Sequence, residues 1–186
     1  LTRIAFASAF TVAGACAFSS LAVASSLSSN PLPAGPPTAA TPAGGVCGPT
    51  LLTQTTSQVP LTGSTISCNN AGNTAENSYY RAYASTGFPA GFNVCAVELT
   101  IESALAGTGT TQPMTINVYR QSGGVFPAGT QTLVGTAAVQ VGNGDLTSLS
   151  VPVTAAIPAG EDLVVEALIP DGVAATNRLF LGSNAA

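Results

Sequence analysis

The amino-acid sequence predicts an all-β protein: an antiparallel β-sandwich, jelly-roll or Ig-like, preceded by a signal peptide and a Pro/Ser/Gly-rich linker. Three observations predict it. From Val46 onward, short apolar runs separated by Gly, Pro and Asn recur about every ten residues, the cadence of strands and turns. The apolar residues within those runs alternate with polar ones, as on strands that bury one face. Outside the first residues, no stretch of ten combines helical periodicity with a cap.

The chain divides into three parts. Residues 1–24 place Arg3 before an uncharged Ala- and Phe-rich run that ends at Ala22-Val23-Ala24, an A-x-A cleavage signature, so this segment is expected to be a signal peptide cut after Ala24. Two other readings stay open for it. Residues 4–24 are long enough to remain as an uncleaved anchor, and Val12-Ala13-Gly14-Ala15-Cys16 has the outline of a lipobox, which would lipidate Cys16. Residues 25–45 are Ser-, Pro- and Gly-rich without apolar periodicity and form a flexible linker. Residues 46–186 are the sandwich domain. Its last residues, Arg178 to Ala186, follow an apolar strand with no closing strand behind it, which predicts that the domain continues beyond Ala186.

Individual strands follow from parity. In the run 94–103, Cys95, Val97, Leu99 and Ile101 share one face and Glu98, Thr100 and Glu102 the other. Along 114–120, Met114, Ile116 and Val118 are expected inside, with Thr115, Asn117 and Tyr119 outside. Leu149, Val151 and Val153 form another inner face, where Pro152 marks an edge strand or a bulge. Leu163, Val165, Ala167 and Ile169 form a fourth, and Val164 and Leu168 on its reverse side predict deeper cover than on neighbouring strands. Pro-Ala-Gly at 89–91, 127–129 and 158–160, Asn143-Gly144-Asp145 and Pro170-Asp171-Gly172 supply the turns.

Composition narrows function. Hydrophobic residues are 46% of the chain and charged ones 6%, and the net charge is −4. Four arginines and no lysine leave no basic footprint for nucleic acid. The absence of His removes the commonest general base and metal ligand, and the absence of Lys removes Schiff-base chemistry. No G-x-S-x-G motif is present, so no catalytic residue is nominated and the protein is read as a non-enzyme. Cys47, Cys68 and Cys95 are the disulfide candidates, with three pairings open, and their spacing does not suit a zinc site.

The remaining candidates are few. Asn69, Asn70, Asn73 and Glu76 lie in a Gly-containing loop and, with Asp171 or Asp145 joining across the fold, could offer hard oxygens to Ca²⁺, the one cofactor considered. Tyr79, Tyr80 and Tyr83, with Phe88 and Phe92 nearby, are the aromatic cluster that could stack on a glycan, although Tyr80 opposes the other two tyrosines in parity. Arg81 among them is expected in a stack or paired with Glu76. Glu98 and Glu102 stand roughly 13 Å apart on an extended strand, too far for a glycosidase pair on their own. Half of the eight acids, Glu161, Asp162, Glu166 and Asp171, fall between residues 161 and 171. Three of them sit in or beside turns. Glu166 interrupts a covered face and needs a partner, for which Arg120 and Arg178 are the candidates.

Residues 76–83 (ENSYYRAY), 95–104 (CAVELTIESA), 112–120 (QPMTINVYR), 157–172 (IPAGEDLVVEALIPDG) and 180–186 (FLGSNAA) resemble a β-sandwich module of bacterial secreted and cell-surface proteins. Its members are mostly uncharacterised, and some are attached to exported hydrolases. The resemblance spans residues 64–186. It implies export and a sandwich, and it implies further strands and another cysteine beyond Ala186. The expected role is a non-catalytic surface, adhesion or accessory module that is secreted or held at the cell surface and meets extracellular proteins or glycans, without nucleic acid. It would meet a membrane only through an uncleaved leader or lipidated Cys16. The alternatives are a glycan- or calcium-binding module of a secreted hydrolase and a structural subunit of an extracellular filament or coat.

Overall fold

Alternating apolar runs become strands throughout. The computed structural model describes residues 3–6, 50–55, 59–65 and 67–184, in which no α-helix occurs. The cleavage signature, Cys16, the linker and Cys47 lie outside the described residues. The strands are β1 (Arg3–Phe6), β2 (Leu51–Leu52), β3 (Pro60–Leu61), β4 (Asn69–Asn70), β5 (Asn73–Thr74), β6 (Asn77–Tyr83) and β7 (Phe92–Leu105). They continue with β8 (Thr111–Ser122), β9 (Thr130–Gly142), β10 (Gly144–Ile157), β11 (Asp162–Ile169), β12 (Arg178–Leu181) and β13 (Ser183–Asn184).

Two main sheets form. In one, β10 pairs antiparallel with β7, whose opposite edge is shared end to end by β12, opposite Ile101–Leu105, and by β1, opposite Ala96–Leu99. β1 runs parallel to both β7 and β2, so residues 3–6, read from sequence as part of a leader, occupy a place in this sheet. In the other sheet the order is β6-β11-β8-β9, antiparallel throughout. The inner faces of both sheets supply one hydrophobic cluster, with Val97, Leu99, Ile101, Val151, Val153 and Leu179 from the first and Met114, Ile116, Val118, Leu163, Val165 and Ala167 from the second. Each of these side chains except that of Ala167 contributes roughly 1.5–3 kcal/mol by leaving water.

Parity holds on β8, β10 and β11 as the sequence predicts. On β11 the reverse face is also covered: Val164 is fully buried and Glu166 is 5% exposed. Pro152 is exposed on the edge strand β10, and a bulge follows it before Ala155. The long strand β7 departs from simple alternation. Phe92 and Val94 point inward where Cys95 was expected to, the inward set changes to Val97, Leu99 and Ile101, and it changes again at Ala104. The changes coincide with shifts of register, the extra residue lying on β10 in the pairing with that strand and on β7 in the pairing with β12.

The three Pro-Ala-Gly triplets among the described residues place their glycine at positive φ: Gly91 at 85°, Gly129 at 114° and Gly160 at 81°. Gly91 is also held close, since a Cβ there would lie 2.7 Å from the Ile157 carbonyl oxygen.

Candidate functional site

The outer face of the β6-β11-β8-β9 sheet carries the densest side-chain network among the described residues, and strand register builds it. Glu166 on β11 stands directly opposite Tyr80 on β6 and opposite Asn117 on β8, and Asn117 in turn faces Thr136 on β9. Such cross-strand neighbours have Cβ atoms about 5 Å apart, so the four side chains meet in one row. Tyr119 reaches in from the adjacent row, where its strand partners are Val164 and Leu133.

Every contact to the carboxylate comes from a neutral donor. Tyr80 Oη donates to Glu166 Oε1 at 2.6 Å, while Asn117 Nδ2 and Tyr119 Oη donate to Oε2 at 2.9 and 2.8 Å. Burial would raise the glutamate pKa, but the bonds from Tyr80, Asn117, Tyr119 and Ser78 outweigh it and hold the carboxyl below its ordinary value. Both phenols move the other way. Burial, then the bond to Glu166 and its negative charge, raise Tyr80 and raise Tyr119 far above the usual phenol value. Glu166 is thus a fixed anion that orients two phenols, and its ionised state suits it neither to donate a proton at neutral pH nor to accept one readily.

The expected arginine partners are engaged elsewhere. Arg120 Nε lies 3.6 Å from Glu161 Oε2, and Arg178 donates to Ser103 Oγ at 3.2 Å. Three buried-edge donors replace a cation because the neighbours fixed by register are two phenols and an amide.

An aromatic corner borders this network. Residues 123–129 link β8 to β9, and there the Phe126 ring lies 5.4 Å from the Tyr80 ring, tilted by 37°. Gln121 Nε2 donates to the Gly124 carbonyl at 2.8 Å and anchors the link. Val125 beside Phe126 is 80% exposed, and Leu133, opposite Tyr119, is 51% exposed.

The sequence-nominated sets separate. Of the three tyrosines proposed for glycan stacking, Tyr79 and Tyr83 point into the core at 2% and 3% exposure, so neither offers a ring face to a ligand, and only Tyr80 reaches the outer surface. Arg81 lies between them on the inner side and donates to Gln54 Oε1 at 3.1 Å, with Glu76 exposed. Among the calcium candidates, Asn69, Asn70 and Asn73 lie in the β4–β5 hairpin, and the Asp171 turn comes beside it through Gly172 N–H, which donates to the Thr74 carbonyl at 2.9 Å. Asp171 Oδ1 itself accepts Val173 N–H at 2.9 Å. Among the described residues no group of three or more His, Cys, Asp or Glu side chains could hold a metal ion. Neither Cys68 nor Cys95 is a free thiol among the described residues.

Other acids are tied to backbone. Glu102 accepts Gly63 N–H at 2.7 Å and the Thr65 hydroxyl, and Asp162 accepts Ser85 N–H at 2.8 Å. Sequence reasoning placed Asn117 and Tyr119 on an outer face and noticed the opposed parity of Tyr80, but it did not join them to Glu166 or to Phe126. Among the described residues the chain is all-β, its strand pairs antiparallel apart from those of β1, and comparisons with protein-family models, curated proteins and solved structures find no match.

Proposed function

We propose that this protein is an exported, non-catalytic β-sandwich of jelly-roll or Ig-like kind that acts as a surface, adhesion or accessory module of the secreted bacterial type it resembles. It works by presenting the outer face of the β6-β11-β8-β9 sheet to an extracellular partner. The observation that carries this reading is the use made of the carboxylates: Glu102, Asp162 and Asp171 accept backbone N–H groups, Glu161 faces Arg120, and Glu166 is saturated by neutral donors. Acids committed in this way shape loops and orient side chains, whereas a hydrolytic pair needs two carboxyls converging on an open cleft. Export accords with the leader-like first residues and with the absence of a free thiol at Cys68 and Cys95.

The test is retention without turnover. Fluorescently labelled protein should remain on washed bacterial cell envelopes, and the same preparation should leave ester, glycoside and peptide substrates intact. Turnover of any of them, or complete loss of label on washing, would overturn the reading.

A further inference from the structure

We propose that the outer face of the β6-β11-β8-β9 sheet binds neutral oligosaccharide, with Tyr80 and Phe126 as an apolar wall and the phenol oxygens of Tyr80 and Tyr119 as acceptors for sugar hydroxyls. This rests on the surface-module reading and names the chemistry of its ligand.

A pyranose ring presents an apolar C–H face and a rim of hydroxyls, so its receptor needs an aromatic surface beside fixed polar atoms. Both are here. The Tyr80 and Phe126 rings, 5.4 Å apart and tilted, form a corner; exposed Leu133 stands opposite Tyr119, and Val125, next to Phe126 in the loop, is exposed as well. Each phenol has one proton, and Glu166 takes both. The phenol oxygens can therefore only accept from anything approaching from outside, with the capacity left after the bonds that Ser78 gives Tyr80 and Asn117 gives Tyr119. Thr136 is constrained similarly: its hydroxyl donates to Asn117 Oδ1 at 2.8 Å, which leaves an exposed oxygen on the same row. Sugar hydroxyls are donors and meet an array of oriented acceptors. Gln121 fastens the loop that carries Phe126, so little ordering is required on binding.

Charge excludes the alternatives. The face lies over an ionised carboxylate, and the adjacent cation, Arg120, is turned to Glu161. Uronate, sulfated or phosphorylated glycans would meet repulsion without a compensating cation.

The experiment is a titration of the full chain with maltohexaose, cellohexaose, mannohexaose and polygalacturonate. Tyrosine fluorescence is the readout, since the chain has no Trp. At least one neutral hexasaccharide should saturate below about 10 mM and polygalacturonate should not. Phe126→Ala should weaken that affinity about tenfold, and Tyr119→Phe about threefold with the ring retained. Thermal unfolding of both variants controls for folding, and the Phe126→Ala variant keeps every bond to Glu166. Absence of binding by all neutral hexasaccharides, preference for polygalacturonate, or unchanged affinity in a folded Phe126→Ala variant would overturn the proposal. If the envelope retention described above persists in that same variant, the site fails while the surface-module reading stands.

Discussion

Replacing Glu166 by Gln keeps shape and volume while removing the charge, and it isolates what the anion does. Three hydrogen bonds, from Tyr80, Asn117 and Tyr119, converge on a side chain that is 5% exposed. Bonds to an ionised group contribute about 1.5–3 kcal/mol each and neutral ones about 0.5–1.5, so losing the charge removes roughly 1 kcal/mol per bond. One amide hydrogen must also face a former donor. Relief of the carboxylate's desolvation cost returns part of this, leaving a net loss of about 2 kcal/mol. For a domain of this size that lowers Tm by roughly 8 °C. The effect carries a pH signature. Because the folded pKa of Glu166 is depressed, its contribution is complete above the unfolded glutamate pKa and is lost as pH falls through the folded value. Differential scanning calorimetry from pH 7 down through the carboxylate range should show wild type approaching the Glu166→Gln variant in acid. A Tm difference under about 2 °C at neutral pH, or one that does not shrink on acidification, would refute the network's role.

All four tyrosines of the chain have raised pKa values, with Tyr79 pushed up to about 12 by burial. Their combined contribution to stability is complete below the ordinary phenol pKa near 10 and declines as pH rises toward the folded values, so denaturant midpoints should fall above that pH. Absorbance titration of the folded protein checks it, and any phenol ionising near 10 would contradict the burial described. Gly91→Ala should cost about 2–4 kcal/mol, because positive φ and the Ile157 carbonyl both oppose a Cβ, whereas Gly160→Ala, strained in φ but open in space, should cost only about 1 kcal/mol. Urea unfolding of the two variants distinguishes these terms, and equal losses would count against the close approach at Gly91. Removing residues 1–24 takes β1 from the edge of β7. Amide exchange should accelerate at Ala96–Leu99, and unchanged exchange would show that the pairing does not protect this edge.

Much of the fold is legible in the residues themselves. Met114, Ile116 and Val118, or Leu163, Val165 and Ala167, lie on uninterrupted strands where a period of two suffices, and Pro-Ala-Gly fixes its turn through local φ alone. Strand β7 is less legible, because its side switches coincide with register shifts against β10 and β12, which are properties of paired strands and not of either sequence. The same limit applies to the site. Glu166 is recognisable as a covered acid, yet its donors lie 86 and 47 positions away at Tyr80 and Tyr119, and only tertiary register selects them over Arg120 or Arg178. Phe126 carries no sequence signal at all, since its place beside Tyr80 depends on how the β8–β9 link folds across the sheet.

The most direct measurement is a carbon-13 NMR titration of the Glu166 side-chain carboxyl in the intact protein, assigned through the Glu166→Gln variant. A permanent anion that orients two phenols should titrate below the ordinary glutamate value of about 4.3. A midpoint above that value would mark a protonatable acid in a cleft, and would contradict both the organising role of Glu166 and the non-catalytic reading built on it.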